Sequence, residues 1–210
     1  MGRCYNLIMS VCSDLLALAE QVGDLIDIPT VRQLFLPEPA IDADKDAEFG
    51  VVELDGGATG LFYAWLGDSQ QGMNERFAME EFVGKDALEV ARYLAGKDDV
   101  SRSIGLAAIN AISQHAFNVG GIALDEASDS MAGMALHDQD RLGMVGNFPS
   151  IVRQARSQNI PVTVVERKRH MLRSEPGLTI TLDPLELGGC NKIICTAATL
   201  INLSLIHISE

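Results

Sequence analysis

Residues 143–149, GMVGNFP, carry the first chemistry that the chain suggests. A glycine turn that leads into a helix presents main-chain N–H groups at the positive end of the helix dipole, an arrangement that holds phosphates and other anions. Gly143 and Gly146 stand three apart, whereas the dinucleotide fingerprint G-x-G-x-x-G has its last glycine inside the helix. Pro149 and Ser150 occupy that region here, and Pro149 suits a first helical turn while removing one donor from an anion cradle. Glu166 follows Gly146 by 20 residues, where a ribose-binding acid is expected, so half of a nucleotide or adenosyl-cofactor site is present. Asn147 and Phe148 add an amide and an apolar wall, and Thr196 and Thr199 add hydroxyls from a later loop. Asn110, inside an apolar helical run, is the polar residue there most expected to be buried. Its amide must then bond either a neighbouring loop or a ligand.

A second group is rich in oxygen. Asp125, Glu126, Asp129, His137, Asp138 and Asp140 fall in one connector and include donor types that metals use. Their spacing matches neither an EF-hand loop nor H-E-x-x-H, and acidic connectors are usually just solvated. The remaining native histidines do not assemble a nucleophile and base by order or spacing. His115 closes a helix as a partner for its C-terminal dipole, and His170 lies on the surface among Arg167, Lys168 and Arg169.

Three apolar strands must place the first group. RLGMVG, PSIVRQARSQN and PVTVVER read as strand, helix, strand with short joints, which demands parallel pairing and a right-handed crossover, hence a Rossmann-like layer. RKRHMLRSEPGLTITLDPLELGGC reads as a polar excursion, and NKIICTAATLIN as a third strand entering a threonine-rich loop. Ligands of open α/β sheets collect outside the carboxyl ends of the strands, so Gly146, Asn147, Phe148, Glu166, Thr196 and Thr199 are expected on one rim.

The first hundred residues are ordered differently. VRQLFLP is a strand closed by Pro37, AIDADKDAE a solvated acidic turn, and FGVVELDGGATGLFYAWL a hairpin turning at Asp55-Gly56-Gly57. Asp86 is placed to cap a helix, ALEVARYLA, with Leu88, Ala91 and Leu94 on one face and Gly96 as its stop. SRSIGLAAINAISQHAF is a second helix with Ile104, Ala107, Ala108, Ala111 and Ile112 on an apolar stripe, where Gly105 and the alanines admit another backbone. The expected class is α/β, an α+β meander followed by a parallel sheet.

Bulk properties narrow the partners. With 16 basic and 29 acidic side chains the formal charge is −13, which repels nucleic acid and anionic lipid, and 47% apolar residues suffice for a core. The cysteines at 4, 12, 190 and 195 form no C-x-x-C pair, so neither a zinc knuckle nor a thioredoxin-type site is indicated, and they are read as reduced thiols in the cytoplasm. Asp14 interrupts the apolar N-terminus, favouring an amphipathic helix over a signal peptide. The final stretch LSLIHISE, Leu203 to Glu210, looks like translated adapter sequence and is set aside from fold reasoning; its alternation would otherwise suit a strand.

Taken together, SIGLAAINA (103–111), DRLGMVGNFPSIV (140–152), VTVVER (162–167) and CTAATLIN (195–202) resemble the "putative heavy-metal chelation" family over roughly residues 10 to 202. The resemblance implies an enolase N-terminal-like domain over 1–122 and a C-terminally truncated Rossmann-like domain over 123–202. It further implies a ligand site in the cleft between them, with Asn110 facing it from the first domain and Gly146, Asn147, Phe148, Pro149, Glu166, Thr196, Thr199 and Asn202 from the second. A link to metal or corrinoid metabolism comes with the family, which makes a heavy or transition metal ion the implied cofactor, a small molecule or metal ligand the implied partner, and leaves a homodimer open for the full-length protein. The chain departs from the family where Asn191 replaces an expected acid and where Thr-Ala-Ala-Thr lacks a glycine. The expected function is binding of a heavy metal or metal complex; a cofactor-dependent transferase and a non-catalytic metabolite-binding module are the alternatives.

Overall fold

The computed structural model describes residues 2–35, 49–63, 79–123 and 134–202. The acidic turn at 40–48, the connector acids Asp125, Glu126 and Asp129, and the tail Leu203 to Glu210 lie outside the described residues. The chain splits into two compact units, Gly2–Leu124 with Leu200–Leu203, and Asp125–Thr199.

The first unit is a three-stranded antiparallel sheet with helices packed on it. Strand β1 (Val31–Phe35), β2 (Phe49–Leu54) and β3 (Thr59–Tyr63) follow in spatial order, and β2 and β3 turn at Asp55-Gly56-Gly57 as their flanking β-branched and aromatic runs predict. Alternation puts Val52, Leu54, Gly60 and Phe62 on the buried face. Helix α1 spans Gly2–Leu25, and the short helix α2 spans Ala87–Ala91, with the Asp86 carboxylate accepting the Leu88 N–H at 2.7 Å. The helix expected to run through ALEVARYLA tightens into a 3₁₀ turn from Arg92 to Ala95.

Helix α3 (Asp99–Val119) is the centre of this unit. Asp98 caps it by accepting the Ser101 N–H at 3.0 Å, and Ile104, Ala107, Ala108, Ala111 and Ile112 are buried, as the stripe predicts. Burying Ile104 and Ile112 contributes about 1.5–3 kcal/mol each. The helix approaches β3 as closely as backbones can. A Cβ on Gly60 would lie 1.9 Å from the Ala107 carbonyl oxygen, so only glycine fits there. Arg102 is buried in the same helix, and its guanidinium donates to the carbonyls of Gly96 and Ile201 and to the Asp99 carboxylate. Cys12 of α1 is buried as well, which pushes its thiol pKa up.

The second unit is a five-stranded sheet. Strands β4 (Leu142–Val145), β5 (Val162–Val165), β6 (Arg173–Glu175), β7 (Leu178–Thr181) and β8 (Lys192–Cys195) take the spatial order β6-β7-β5-β4-β8. Pairings β7–β5, β5–β4 and β4–β8 are parallel, and β6 is antiparallel at one edge. Helix α4 (Pro149–Ser157) connects β4 to β5 and lays Ile151, Val152 and Ala155 on a core of Leu142, Met144, Val162, Val164, Leu178 and Ile180. The class is mixed α/β with parallel strands, as expected. One element differs: the polar excursion after β5 contains the hairpin β6–β7, because LTIT alternates buried and half-buried side chains beside β5 while Pro176-Gly177 supplies the turn.

Candidate functional site

Parallel register brings the ends of four strands to one edge of the second unit's sheet. Val145 pairs with Val165 and Cys195, and Val165 pairs with Thr181. The residues that follow continue the ladder for one step: Gly146 N–H donates to Val165 O (3.0 Å), Thr196 N–H to Val145 O (3.1 Å), and Glu166 N–H to Thr181 O (2.9 Å). Gly146, Glu166 and Thr196 therefore stand next to one another at the carboxyl edge. Gly146 has φ +89°, and a Cβ there would lie 3.0 Å from the Thr196 methyl, so both its conformation and its space favour glycine.

Glu166 locks this edge. One carboxylate oxygen accepts the Asn147 N–H at 3.1 Å and the other accepts the Lys168 N–H at 3.1 Å, so a single half-buried side chain joins the loop after β4 to the loop after β5. The Asn147 amide reaches the Met171 sulfur at 3.7 Å, a second tie between the same loops. Phe148 is the N-cap of α4 and packs partly buried against the core, without a side-chain cap bond, and exposed Pro149 begins the helix. Thr196 Oγ1 accepts the Ala198 N–H at 3.3 Å at the start of helix α5 (Ala198–Asn202). Thr199 is buried and its hydroxyl donates to Thr196 O at 2.7 Å, so it shapes the loop. The Asn202 side chain lies outside the described residues.

Asn110 requires a correction. It is exposed, and its amide donates to Leu61 O at 3.0 Å. Four residues on, Gln114 Oε1 accepts the N–H and hydroxyl of Thr59. Among the described residues β3 is the edge of its sheet, so these two amides of α3 satisfy main-chain groups that no described strand pairs. The apolar stripe suggested burial at 110, but the position falls where the helix overhangs the strand edge. His115 likewise does not close its helix, which continues to Val119; its ring bonds Asp27 O at 3.1 Å.

At the start of β4 the structure holds a network that the sequence reading missed. Asp140 accepts the His137 N–H (2.8 Å) and the Asn191 amide (2.8 Å) and pairs with Lys192 (3.0 Å). These bonds, led by the His137 N–H, lower the Asp140 pKa to about 2. Asn191 also accepts the Arg141 N–H through Oδ1 at 2.8 Å. A carboxylate could not do both jobs, which explains an amide where the family leads one to expect an acid. The signal was available: Asp140 and Asn191 each precede one of two neighbouring parallel strands. Among the described residues, no three His, Cys, Asp or Glu side chains gather as a metal site would, Cys12, Cys190 and Cys195 are free thiols, and no helix is long and apolar enough to cross a membrane.

Comparisons with known proteins bear on the same residues. Two family models match, DUF4213 over residues 47–113 and DUF364 over residues 129–210, and both are described as "Putative heavy-metal chelation". Among solved structures, the chain is similar to a protein with unknown function from the DUF364 family of Desulfitobacterium hafniense (TM-score 0.55, 16% identity, 93% of this chain and 72% of that one). It is also similar to a DUF364-family protein with unknown function from Pyrococcus horikoshii (TM-score 0.53, 23% identity, 92% of this chain and 72% of that one). At these identities the likeness is one of fold. No curated protein matches the chain.

Proposed function

We infer that the chain belongs with the heavy-metal chelation families that its two adjoining stretches match, and that it binds a metal-bearing small molecule at the carboxyl edge of β4, β5 and β8. We take the finer architecture to be enolase N-terminal-like followed by Rossmann-like, with Asn110 assigned to the sheet edge and left out of the site. The observation that carries the site is the glycine turn at Gly146, held by Glu166 beside Thr196 where parallel strands end. Such an edge offers fixed hydrogen-bonding groups with little reorganisation on binding.

A resident bare metal ion does not fit this edge. The Glu166 carboxylate already accepts a main-chain N–H on each oxygen, Asn147 and Thr196 bring a neutral amide and a neutral hydroxyl, and the Cys195 thiol at the end of β8 is not gathered with two further His, Cys, Asp or Glu side chains among the described residues. Soft and borderline cations select thiolate and imidazole clusters. The groups suit a ligand recognised through hydrogen bonds, so the metal is cargo carried inside a complex. The test is calorimetric titration with cobalt, nickel, iron and zinc, each as the hydrated ion and as its citrate complex, repeated with Asn147→Ala and Thr196→Val. Binding of a complex that the variants weaken by roughly several-fold supports the reading. Absence of binding to every ion and complex overturns it.

A nucleotide or adenosyl cofactor is less well supported. Glu166 does stand at the end of the strand after the glycine turn, but both its oxygens already accept main-chain N–H groups, so a ribose diol would have to share them.

A further inference from the structure

We propose that this edge takes its ligand as a multiply charged oxyanion, bearing carboxylate or phosphate groups, held by Arg167 and Arg169. The proposal rests on the site assigned above and names the chemistry of its ligand. Residues 167–173, RKRHMLR, hold four cations and no carboxylate in a chain whose formal charge is −13. This concentration follows Glu166 directly and sits on the candidate edge. The Lys168 N–H bonds Glu166, and the Met171 sulfur meets the Asn147 amide at 3.7 Å, so the basic turn is tied at two points to the loop that carries Gly146.

The cations of this turn are not equivalent. Arg173 lies 3.9 Å from Glu175, which also pairs with Arg156 at 2.8 Å. Arg167 and Arg169 are exposed and form no ion pair among the described residues. The nearest carboxylate in sequence, Glu166, is directed to main-chain N–H groups. Two exposed guanidinium groups without an ion pair among the described residues therefore belong to the turn that is tied to the glycine loop. Planar guanidinium forks match carboxylate and phosphate oxygens, and their field draws an anion to a surface that otherwise repels it. Citrate-type chelates of transition metals are anions of this kind.

The experiment titrates the full chain with nickel–citrate, free citrate, inorganic pyrophosphate, hydrated nickel and a cationic nickel–ethylenediamine complex. The same series is run on Arg167→Ser/Arg169→Ser and on Arg153→Ser, which removes an exposed cation on α4. The anions should bind wild type, weaken as salt rises, and lose about tenfold or more in the double variant but not in Arg153→Ser. Citrate against pyrophosphate distinguishes a carboxylate from a phosphate ligand. Anion binding that the double variant leaves unchanged, or no binding of any anion, overturns the proposal. If the cationic nickel–ethylenediamine complex binds while no anion does, the metal-complex reading stands and this inference falls; if citrate or pyrophosphate binds as tightly as nickel–citrate, the reverse holds; binding of hydrated nickel alone overturns both.

Discussion

Replacing Glu166 with Ala removes the two bonds that tie the loop after β4 to the loop after β5. Hydrogen bonds to a charged acceptor contribute about 1.5–3 kcal/mol each when buried, and the half-exposed setting of Glu166 reduces this to about 1 kcal/mol each. The loss of about 2 kcal/mol, at a urea dependence of about 2 kcal/mol per molar, moves the second unit's midpoint down by about 1 M. Glu166→Gln keeps one acceptor and sets an NH₂ against the other N–H, so its loss should be no less than half as large. Glu186→Ala, at an exposed acid on the same unit, should stay within about 0.5 kcal/mol. Urea titration followed by circular dichroism measures the shift, and amide hydrogen exchange at Asn147 and Lys168 localises it. A midpoint shift below about 0.2 M, or unchanged protection of both amides, would show that the carboxylate does not hold the edge together.

Three further outcomes follow from the geometry. Gly60→Ala sets a methyl group 1.9 Å from Ala107 O and 2.5 Å from Ala111 N; because backbone cannot swing aside, it should cost about 3 kcal/mol or more in urea unfolding, while Gly188→Ala, with nothing within 4 Å, should stay within about 0.5 kcal/mol. Asn191→Asp places a second carboxylate 2.8 Å from Asp140, so the variant should be less stable than wild type at pH 7.5 and the gap should narrow by pH 5 as the pair takes up a proton. Asp140 itself has a folded pKa of about 2 against about 3.9 unfolded, so its contribution is complete above about pH 4 and disappears as pH falls towards 2; urea stability at pH 5, 3.5 and 2.5 should decline less steeply in Asp140→Asn than in wild type.

How legible the fold was depended on whether a signal was local. The hairpin at Asp55-Gly56-Gly57 and the cap at Asp86 are short-range chemistry, and each forms as its residues suggest. The β4–α4–β5 unit was readable because apolar runs of two periods alternate with short joints. Strands β6 and β7 were not, since RSE is fully exposed at an edge and LTIT owes its pairing to β5, which lies outside any local window. At the site, the position of Glu166 beside the glycine turn could be argued from strand order, but its partners could not. Asn110 shows the opposite failure: periodicity reports the face of a helix, and only the sheet's width decides whether that face is covered.

The amides of Asn110 and Gln114 carry a consequence for how this protein meets others of its kind. By occupying the Thr59 N–H and the Leu61 carbonyl of β3, they remove two of the main-chain groups that an incoming extended segment would pair with on that side. Growth of the first unit's sheet by strand recruitment, the usual opening move of swapped dimers and fibrils, is thereby discouraged by the protein's own central helix.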